Sequence, residues 1–331
     1  MRTRSSRRSL RLSGDAAFAL ALLFPIGAHA ASADYPSRPI RLLVPFAPGG
    51  GADTLARIVT PRLTEAMGQA WVVDNRSGAA GNIAAETVVR SAPDGYTVLM
   101  GFSTVLTVNP TLYALGFDPS RDLQPVTLLA TAQYLLVVHP SVPANSVQEL
   151  IALAKQKPAL LNFASAGVGS PLHLAAELLK HRAGIQMVHV PYKGGGPAAA
   201  AVLAGESQVI FGSVPSSMPH VKSGRLKALA TTGVKRLKVA PELTTLAEAG
   251  FPGFDVSTWY ALMVPAGTPA AIVTRMRDEA TRVLQRSDVQ QVMAGQGLEA
   301  ETSTPPALAQ RIRLERTVWA EVIRAAGIKP E

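Results

Sequence analysis

IRLLVPFAPGGG, residues 40–51, is the clearest fold pattern in this chain. Its first part, Ile40–Val44, predicts a short buried strand, and Pro45–Gly51 predicts a loop. Asp53–Met67 then predicts a helix. Because Pro61 removes a backbone N–H donor inside that helix, we expect a kink or a break just before this proline. A strand, a glycine loop and a helix in this order are typical of α/β proteins.

The same order of elements repeats along the chain. Trp71–Asp74 predicts a strand, Asn82–Ser91 a helix and Tyr96–Gly101 a further strand. Strands that alternate with helices favour mostly parallel sheets. The other predicted helices are Val147–Gln156, Pro171–His181, Pro197–Ala204, Val214–Ser223, Pro269–Gln285 and Pro305–Ala325, and the other predicted strands are Leu161–Ala164, Met187–Val190, Val209–Phe211, Ala228–Thr231 and Trp259–Val264.

Length and element order indicate two domains joined by a hinge. The chain has 331 residues, of which 47% are hydrophobic and 17% charged, so it can bury large cores. Val126–Thr131 and Leu135–His139 are apolar runs without a helix between them, as expected where strands cross between domains. We therefore expect an α/β protein in which residues 31–130 and 255–331 form domain 1 and residues 131–254 form domain 2.

The first 30 residues have the pattern of an export signal peptide. Five arginines precede the apolar run Ala16–Gly27, and Ala28-His29-Ala30 supplies the small residues of an A-x-A cleavage site. We predict cleavage before Ala31 and a periplasmic product. The apolar run is too short for a membrane anchor, which needs about 18 residues. Residues 6–10, SRRSL, resemble a twin-arginine motif, but paired arginines also occur by chance in such regions, so both export routes stay open.

Composition excludes several classes of function. The formal net charge is +9, but loss of the signal removes five arginines and one aspartate and leaves 27 basic and 22 acidic side chains, a formal +5. No basic run could track a phosphate backbone, so we expect no nucleic-acid partner. The absence of cysteine excludes disulfides, thiolate metal sites, iron–sulfur clusters and a lipid anchor on an N-terminal cysteine.

Catalytic and metal-binding motifs are also missing from the sequence. The five histidines beyond the signal lack the His-x-x-x-His spacing of a metal site, and no G-x-S-x-G motif occurs. We therefore expect no metal, no cofactor and no enzymatic activity. An exported hydrolase or transferase stays as an alternative, because one fold can host unrelated functions.

Four glycine-rich loops each leave an apolar strand and enter a helix. Backbone N–H groups in such loops can approach a ligand closely, and the helix N-terminus behind each loop adds partial positive charge, which suits a carboxylate or a phosphate. Strand-to-helix turns also favour glycine for structural reasons alone. The spacing matches neither a dinucleotide fingerprint nor a P-loop. The loops are Pro48-Gly49-Gly50-Gly51, Gly78-Ala79-Ala80-Gly81, Gly167-Val168-Gly169-Ser170 and Gly194-Gly195-Gly196.

Several side chains near these loops have both a structural and a ligand-binding interpretation. Asp53 either caps the helix, with Arg57 as its i,i+4 partner, or contacts the distal end of a ligand. Ser170 and His173 either form a helix cap and a structural histidine or contact the ligand. Lys193 is either a solvated loop lysine or the partner of a carboxylate.

Longer motifs follow one another in a fixed order. They are Tyr35-Pro36-x-Arg38-Pro39-Ile40, Val44–Asp53, Asn75-Arg76-x-Gly78-Ala79-Ala80-Gly81, Pro93–Thr97, Asn109-Pro110-x-Leu112-Tyr113, Gly169-Ser170-x-x-His173-Leu174, Val190–Gly194 and Val264–Pro269. In these motifs the chain resembles the Bug family, the substrate-binding receptors of tripartite tricarboxylate transporters. The resemblance covers essentially all of residues 34–330.

The resemblance implies a type II periplasmic binding protein, a two-domain Venus flytrap with a hinge. Such a protein closes on a small carboxylate and delivers it to the integral-membrane subunits of a transporter, and it catalyses no reaction. We expect a monomer whose ligand is held largely by backbone amides and waters. The expected ligand-binding residues are Phe46, Ala47, Pro48, Gly49, Gly50, Gly51, Asp53, Thr54, Ser103, Thr104, Ser165, Ala166, Gly167, Gly169, Ser170, His173, Tyr192, Lys193, Gly194 and Gly195.

One position departs from the family pattern. Phe211-Gly212 stands where many relatives carry Phe-Asp, which favours a ligand acid without an amino group. Two points stay open at this level: which carboxylate binds, and whether the receptor serves uptake or presents its closed state to a membrane sensor kinase.

Overall fold

The computed structural model describes residues 35–327 and residue 329. The predicted signal peptide and its cleavage site lie outside these residues. The described strands are β1 (Ile40–Val44), β2 (Trp71–Asn75), β3 (Thr97–Phe102), β4 (Leu123–Ala132), β5 (Tyr134–Val138), β6 (Asn162–Ser165), β7 (Val188–Pro191), β8 (Val209–Ser213), β9 (Lys227–Thr231), β10 (Thr258–Pro265) and β11 (Leu298–Ala300). The described helices are α1 (Gly51–Met67), α2 (Asn82–Val89), α3 (Ser103–Thr107), α4 (Asn109–Leu112), α5 (Pro119–Asp122), α6 (Val147–Gln156), α7 (Pro171–Ala183), α8 (Gly195–Leu203), α9 (Val214–Lys222), α10 (Ala270–Gln285), α11 (Ser287–Gly295) and α12 (Pro305–Ala326).

Six strands form one sheet in the order β11-β4-β10-β3-β1-β2. β1 is parallel to both β2 and β3, whereas β10 is antiparallel to β3 and β4. Leu42 and Leu43 of β1 are fully buried, and Leu55 and Leu63 of α1 belong to the same apolar core. We call the elements around this sheet the first lobe.

α1 runs without interruption through Pro61, so of the kink or break expected before this proline, the break was wrong. Pro61 and Arg57 both lie on the exposed side of the helix. The carbonyl of Arg57, which loses its N–H partner to the proline ring, therefore stays accessible to water.

Five strands form a second sheet in the order β7-β6-β8-β5-β9. β6 is parallel to β7 and β8, whereas β5 is antiparallel to β8 and β9. Phe163 of β6, Phe211 of β8 and Phe254 are fully buried in a separate apolar core. We call the elements around this sheet the second lobe.

The α/β architecture agrees with the prediction, but both sheets are mixed rather than mostly parallel. Among the described strands, four pairings are parallel and five are antiparallel. A parallel neighbour needs a long crossover, usually a helix, whereas an antiparallel neighbour does not. β4 ends at Ala132 and β5 begins at Tyr134, so the chain passes from one sheet to the other with no helix between.

A small apolar cluster joins the two lobes. Val108, Leu112 and Ile323 come from the first lobe, and Val168 and Leu174 come from the second. We call these five buried residues the cross-lobe cluster. Its Val168 belongs to the glycine loop at residues 167–170.

Some short elements were not predicted. They are α3, α4, α5, α11 and β11, each of nine residues or fewer. Across residues 35–327, no helix combines the length and the apolar character needed to cross a bilayer.

Candidate functional site

The glycine loops of the two lobes contact each other directly. The N–H of Ala47 donates a hydrogen bond to the carbonyl oxygen of Lys193 over 3.1 Å. A Cβ atom built on Gly50 would lie 3.6 Å from the backbone nitrogen of Gly195. A Cβ atom on Gly194 would lie 3.1 Å from the nitrogen of Ala47, and the positive φ of Gly194, 145°, also disfavours any side chain there. A Cβ on Gly50 alone would make an ordinary van der Waals contact, whereas a Cβ on Gly196 would overlap the Pro48 carbonyl oxygen. The close approach of the loops therefore requires glycine at positions 194 and 196.

A cavity of about 510 Å³ opens beside this contact, between the two lobes. It includes the second predicted glycine loop, in which Ala79 and Ala80 have positive φ angles of 46° and 51°. Non-glycine residues rarely adopt this region, and such strain is typical of functional sites. The cavity, which we call the outer cavity, is lined by Phe46, Gly78, Ala79, Ala80, Gly81, Tyr113, Ala166, Gly167, Val168, Pro191, Tyr192 and Lys193.

A smaller cavity of about 30 Å³, the inner cavity, lies deeper and shares Phe46 and Ala166 with the outer one. Four helices begin at its wall. Gly51 opens α1, Pro171 opens α7, Gly195 opens α8, and Ser213 precedes α9 as its N-cap. Its lining residues are Phe46, Gly50, Gly51, Ala52, Phe102, Tyr134, Ala166, Pro171, Leu172, Gly195, Ser213 and Tyr260. The polar side chains in this lining are all hydroxyls.

Asp53 braces the loop of the first lobe from behind. Its Oδ2 accepts hydrogen bonds from the N–H of Gly49 (3.1 Å) and from Nε of Arg57 (2.9 Å). Burial alone would raise the pKa of Asp53, but the hydrogen bonds from Arg57 and Gly49 outweigh it, and the pKa lies below its ordinary value. The neighbouring Thr54 donates its N–H to the Gly50 carbonyl over 3.0 Å. Asp53 thus orders the residues that precede α1.

Neutral groups brace the corresponding loop of the second lobe. Ser165 Oγ accepts from the N–H of Gly167 (3.1 Å) and lies 2.6 Å from Nε2 of His189. His173 Nδ1 accepts from the N–H of Gly169 over 3.3 Å, and its ring lies 4.3 Å from that of His189. Burial lowers the pKa of both histidines to about 4. The imidazoles are therefore neutral near pH 7.

Ser170 and His173 also form the start of α7. Ser170 Oγ accepts from the N–H of His173 over 3.3 Å, which is the expected helix cap. His173 is buried and lines neither the outer nor the inner cavity. The described conformation therefore shows the structural role for this pair, a helix cap at Ser170 and a buried histidine at position 173.

Ser103 and Thr104 lie on a different cavity, of about 160 Å³, between α12 and the start of α7. Ser103 Oγ lies 2.7 Å from Oγ1 of Thr258, so the two hydroxyls bond to each other. Thr104 is buried beside them. The structure therefore does not bring Ser103 and Thr104 to the same cavities as the glycine loops.

Lys193 is exposed at the rim of the outer cavity. Among the described residues, no carboxylate lies within ion-pairing distance of its ammonium group. Beside it, Tyr192 donates its N–H to the Ser165 carbonyl (2.9 Å) and contacts Glu206 through its hydroxyl. Lys193 is thus free to meet an anion at the cavity mouth.

Sequence reasoning missed several lining residues. Tyr134 and Ser213 line the inner cavity, and Tyr113 lines the outer one while donating its hydroxyl to the Val168 carbonyl over 2.8 Å. A side chain at Gly212, the position that departs from the family's Phe-Asp pattern, would project into the space that Ser217 Oγ fills. A neutral hydroxyl therefore occupies that space. The available signal for Tyr134 was its position directly before the apolar run Leu135–His139, where the chain was expected to pass between the domains.

No cluster of three potential metal ligands occurs among the residues that the structure describes. A family model described as the tripartite tricarboxylate transporter family receptor matches residues 55–328. The chain belongs to this receptor family. Protein BugT of Bordetella pertussis is 36% identical over 310 residues, which cover 92% of this chain and 94% of BugT.

Solved structures of family members share the architecture of this chain. The periplasmic binding protein BugD matches with a TM-score of 0.86 and 30% identity, covering 90% of this chain and 100% of BugD. R. palustris Rpa4515 with adipate matches with a TM-score of 0.87 and 36% identity, covering 90% and 100%. MatC of Rhodopseudomonas palustris with bound malate matches with a TM-score of 0.83 and 32% identity, covering 87% and 100%. The fold is that of a periplasmic binding protein.

Proposed function

We propose that this protein is a solute receptor that binds a small carboxylate between its two lobes. The observation that carries the proposal is the convergence of four helix N-termini, those of α1, α7, α8 and α9, on the inner cavity. Each N-terminus carries partial positive charge and unpaired N–H groups. No side-chain cap occupies the N-termini of α1, α8 or α9. The site therefore suits an anion without any lysine or arginine in the inner cavity.

The two cavities together give the ligand an orientation. One carboxylate group faces the inner cavity, and the rest of the ligand extends past Phe46 and Ala166 into the outer cavity. An outer cavity of about 510 Å³ is within the usual size of small-molecule sites. Backbone groups of residues 46–51, 165–170 and 192–195 supply most of the contacts, and Lys193 meets the distal end. The adipate and malate bound to the two relatives are ligands of this size and charge.

Hinge motion about the crossing strands admits and encloses the ligand. The two proposed domains, residues 31–130 with 255–331 and residues 131–254, move as bodies about segments near Thr131 and Phe254. The direct loop contact at Ala47 and Lys193 belongs to the closed state. In this role the protein acts as a monomer, needs no cofactor and releases its ligand chemically unaltered.

Export and delivery complete the proposed role. The signal at residues 1–30 directs the protein to the periplasm, where mass spectrometry should find an N-terminus at or near Ala31. The closed receptor then delivers its ligand to the integral-membrane subunits of a tripartite transporter. Reconstituted membrane subunits from the same organism should take up the ligand only when the receptor is added. Uptake without the receptor would contradict the delivery role.

A thermal-shift screen tests the binding function. Mono-, di- and tricarboxylates are added singly to the purified protein, and a ligand of the native state raises the unfolding free energy by about 2.7 kcal/mol at 100 times its Kd. We expect at least one dicarboxylate to raise the melting temperature. Small-angle scattering should then show a smaller radius of gyration with that ligand. A panel in which no carboxylate shifts the melting temperature would overturn the proposal.

A further inference from the structure

The inner cavity contains a buried polar group that the glycine loops do not explain. Tyr134, the first residue of β5, lines the cavity and is only 2% exposed. Its hydroxyl is fully buried and has no hydrogen-bond partner. The Thr258 hydroxyl is close enough to lower the pKa of Tyr134 by hydrogen bonding, but it does not reach hydrogen-bonding distance and geometry with the phenol, and its Oγ1 lies 2.7 Å from Ser103 Oγ. Buried polar groups are normally paired, so this hydroxyl needs an explanation.

The surroundings of Tyr134 define what could pair with it. A cavity of about 30 Å³ holds one small polar group or a water rather than a whole ligand. Tyr260 and Ser213 are the other polar side chains of its wall, and both carry hydroxyls. Ser213 Oγ already lies 2.8 Å from Ser216 Oγ. Among the described residues of this wall, Tyr134 is the one whose hydroxyl is both fully buried and without a hydrogen-bond partner.

We propose that Tyr134 is a specificity-determining residue of the carboxylate site, whose phenol O–H donates to an oxygen of the ligand group enclosed in the inner cavity. This inference rests on the proposed function and deepens it. Burial raises the pKa of Tyr134 well above its ordinary value, so the phenol keeps its proton at physiological pH. A neutral donor stabilises an anionic oxygen in a dry site.

The same wall determines the class of ligand. No carboxylate side chain lines the inner cavity, so an ammonium group enclosed there would be buried without a counter-charge. Burial of an unpaired charge is strongly unfavourable. The buried end of the ligand is therefore a carboxylate whose neighbouring carbon carries hydrogen or hydroxyl rather than an amino group. Succinate fits this class, whereas 2,3-diaminosuccinate, in which both carboxylates lie beside an amino-bearing carbon, does not.

Calorimetry on Tyr134→Phe tests the inference. Tyr134→Phe removes one oxygen and keeps the ring, so we expect Kd for a carboxylate found in the wild-type screen to rise roughly 10- to 100-fold. Because the lost hydroxyl has no partner in the protein, the melting temperature without ligand should not fall. Tyr96→Phe, which removes a hydroxyl that bonds to Ser37 far from the cavities, is the matched control and should leave Kd unchanged.

The outcomes separate this inference from the proposed function. Equal Kd values for wild type and Tyr134→Phe would overturn the role of Tyr134 while leaving a carboxylate receptor. Wild-type protein that binds no carboxylate would overturn the proposed function and this inference together. Should Tyr134→Phe fail to fold, the wild-type protein still decides the ligand class: it should bind succinate at least about 10-fold more tightly than 2,3-diaminosuccinate. Equal binding of the two would overturn the inference.

Discussion

The glycine loops before α1 and before α7 are held by different kinds of group: a charged pair in the first lobe and neutral side chains in the second. In the first lobe, the carboxylate of Asp53 holds the N–H of Gly49 and pairs with Arg57. In the second lobe, the hydroxyl of Ser165 and the neutral ring of His173 hold the N–H groups of two glycines. Both braces order a loop that has few side chains of its own.

Access to water explains the difference. Arg57 is 59% exposed, so the charged pair with Asp53 leaves one partner solvated and avoids most of the desolvation cost of a buried ion pair. His173 is buried 3.8 Å from Glu177, which pairs with Lys180, and burial together with the Lys180 charge lowers the pKa of His173 to about 4 and keeps the imidazole uncharged. Asp53 therefore stays charged because two hydrogen bonds and an exposed arginine stabilise it, whereas desolvation keeps His173 neutral.

Valine substitutions in the glycine loops of the two lobes should give the largest effects, and they test most directly how the two loops differ. Gly50 has a φ of −92°, which valine accepts, so Gly50→Val should fold but lose roughly 100-fold in affinity, because its methyl groups meet Gly195 and hold the lobes apart. Gly167 has a φ of 112°, so Gly167→Val should also lose about 1–3 kcal/mol of unfolding free energy. Calorimetry and thermal unfolding measure both. Normal binding by Gly50→Val would contradict the proposal that backbone groups of the glycine loops hold the ligand.

Acid should destabilise the second lobe's brace before the first. The pKa values of His173 and His189 fall from an ordinary 6.5 to about 4 on folding, so the unfolded state binds more protons between these values. Stability is therefore complete above pH 6.5 and declines as pH falls toward 4, by at most about 1.4 kcal/mol per pH unit for each histidine. Denaturant unfolding at pH 7, 5.5 and 4.5, roughly spanning this window, measures the slope.

Two variants assign that slope to one lobe. His173→Asn keeps an acceptor for Gly169 and removes one titrating ring, so the slope should fall by about half. Asp53→Asn should keep the wild-type slope in this window, because the pKa of Asp53 lies below 3.8 and its contribution is lost only in stronger acid. An unchanged slope in His173→Asn would show that the histidines are not the source.

Replacement of Lys193 should give the smallest effect. Lys193→Met keeps much of the stem and removes the charge, and an exposed ion pair contributes only about 1 kcal/mol or less to binding. Calorimetry with the ligand from the screen measures the loss. A desolvated pair would cost roughly 2–5 kcal/mol instead. Complete loss of binding in Lys193→Met would make this lysine, rather than the loops, the anchor of the carboxylate.

Sequence pattern predicted the long elements and the four glycine loops well. β1, α1 and α7 were found because apolar periodicity and turn residues act locally. α3, with five residues, is too short to show a helical period. Ser170 caps α7 as the sequence predicted, whereas α1 has Gly50 as its N-cap with no side-chain cap, so Asp53, expected to cap that helix, holds the N–H of Gly49 instead. Both contacts span four residues or fewer, so the local sequence could indicate them.

Residues whose roles depend on distant partners could not be found in this way. His173 meets His189 through the pairing of β6 with β7, and Tyr134 reaches the inner cavity through the register of β5. Ser103 and Thr104 were expected beside the glycine loops, but the turn of α3 directs them to another cavity. Tertiary packing, rather than spacing along the chain, decides such contacts.

The cross-lobe cluster gives the proposed hinge closure a dependence on temperature. Val168 and Leu174 pack against Val108, Leu112 and Ile323, and we expect that opening the cleft would expose this apolar surface to water. Hydrophobic association is driven by entropy near 25 °C and weakens on cooling. Under the proposed closure, cold should therefore shift the unliganded protein toward an open form, which would capture a ligand readily but release it sooner.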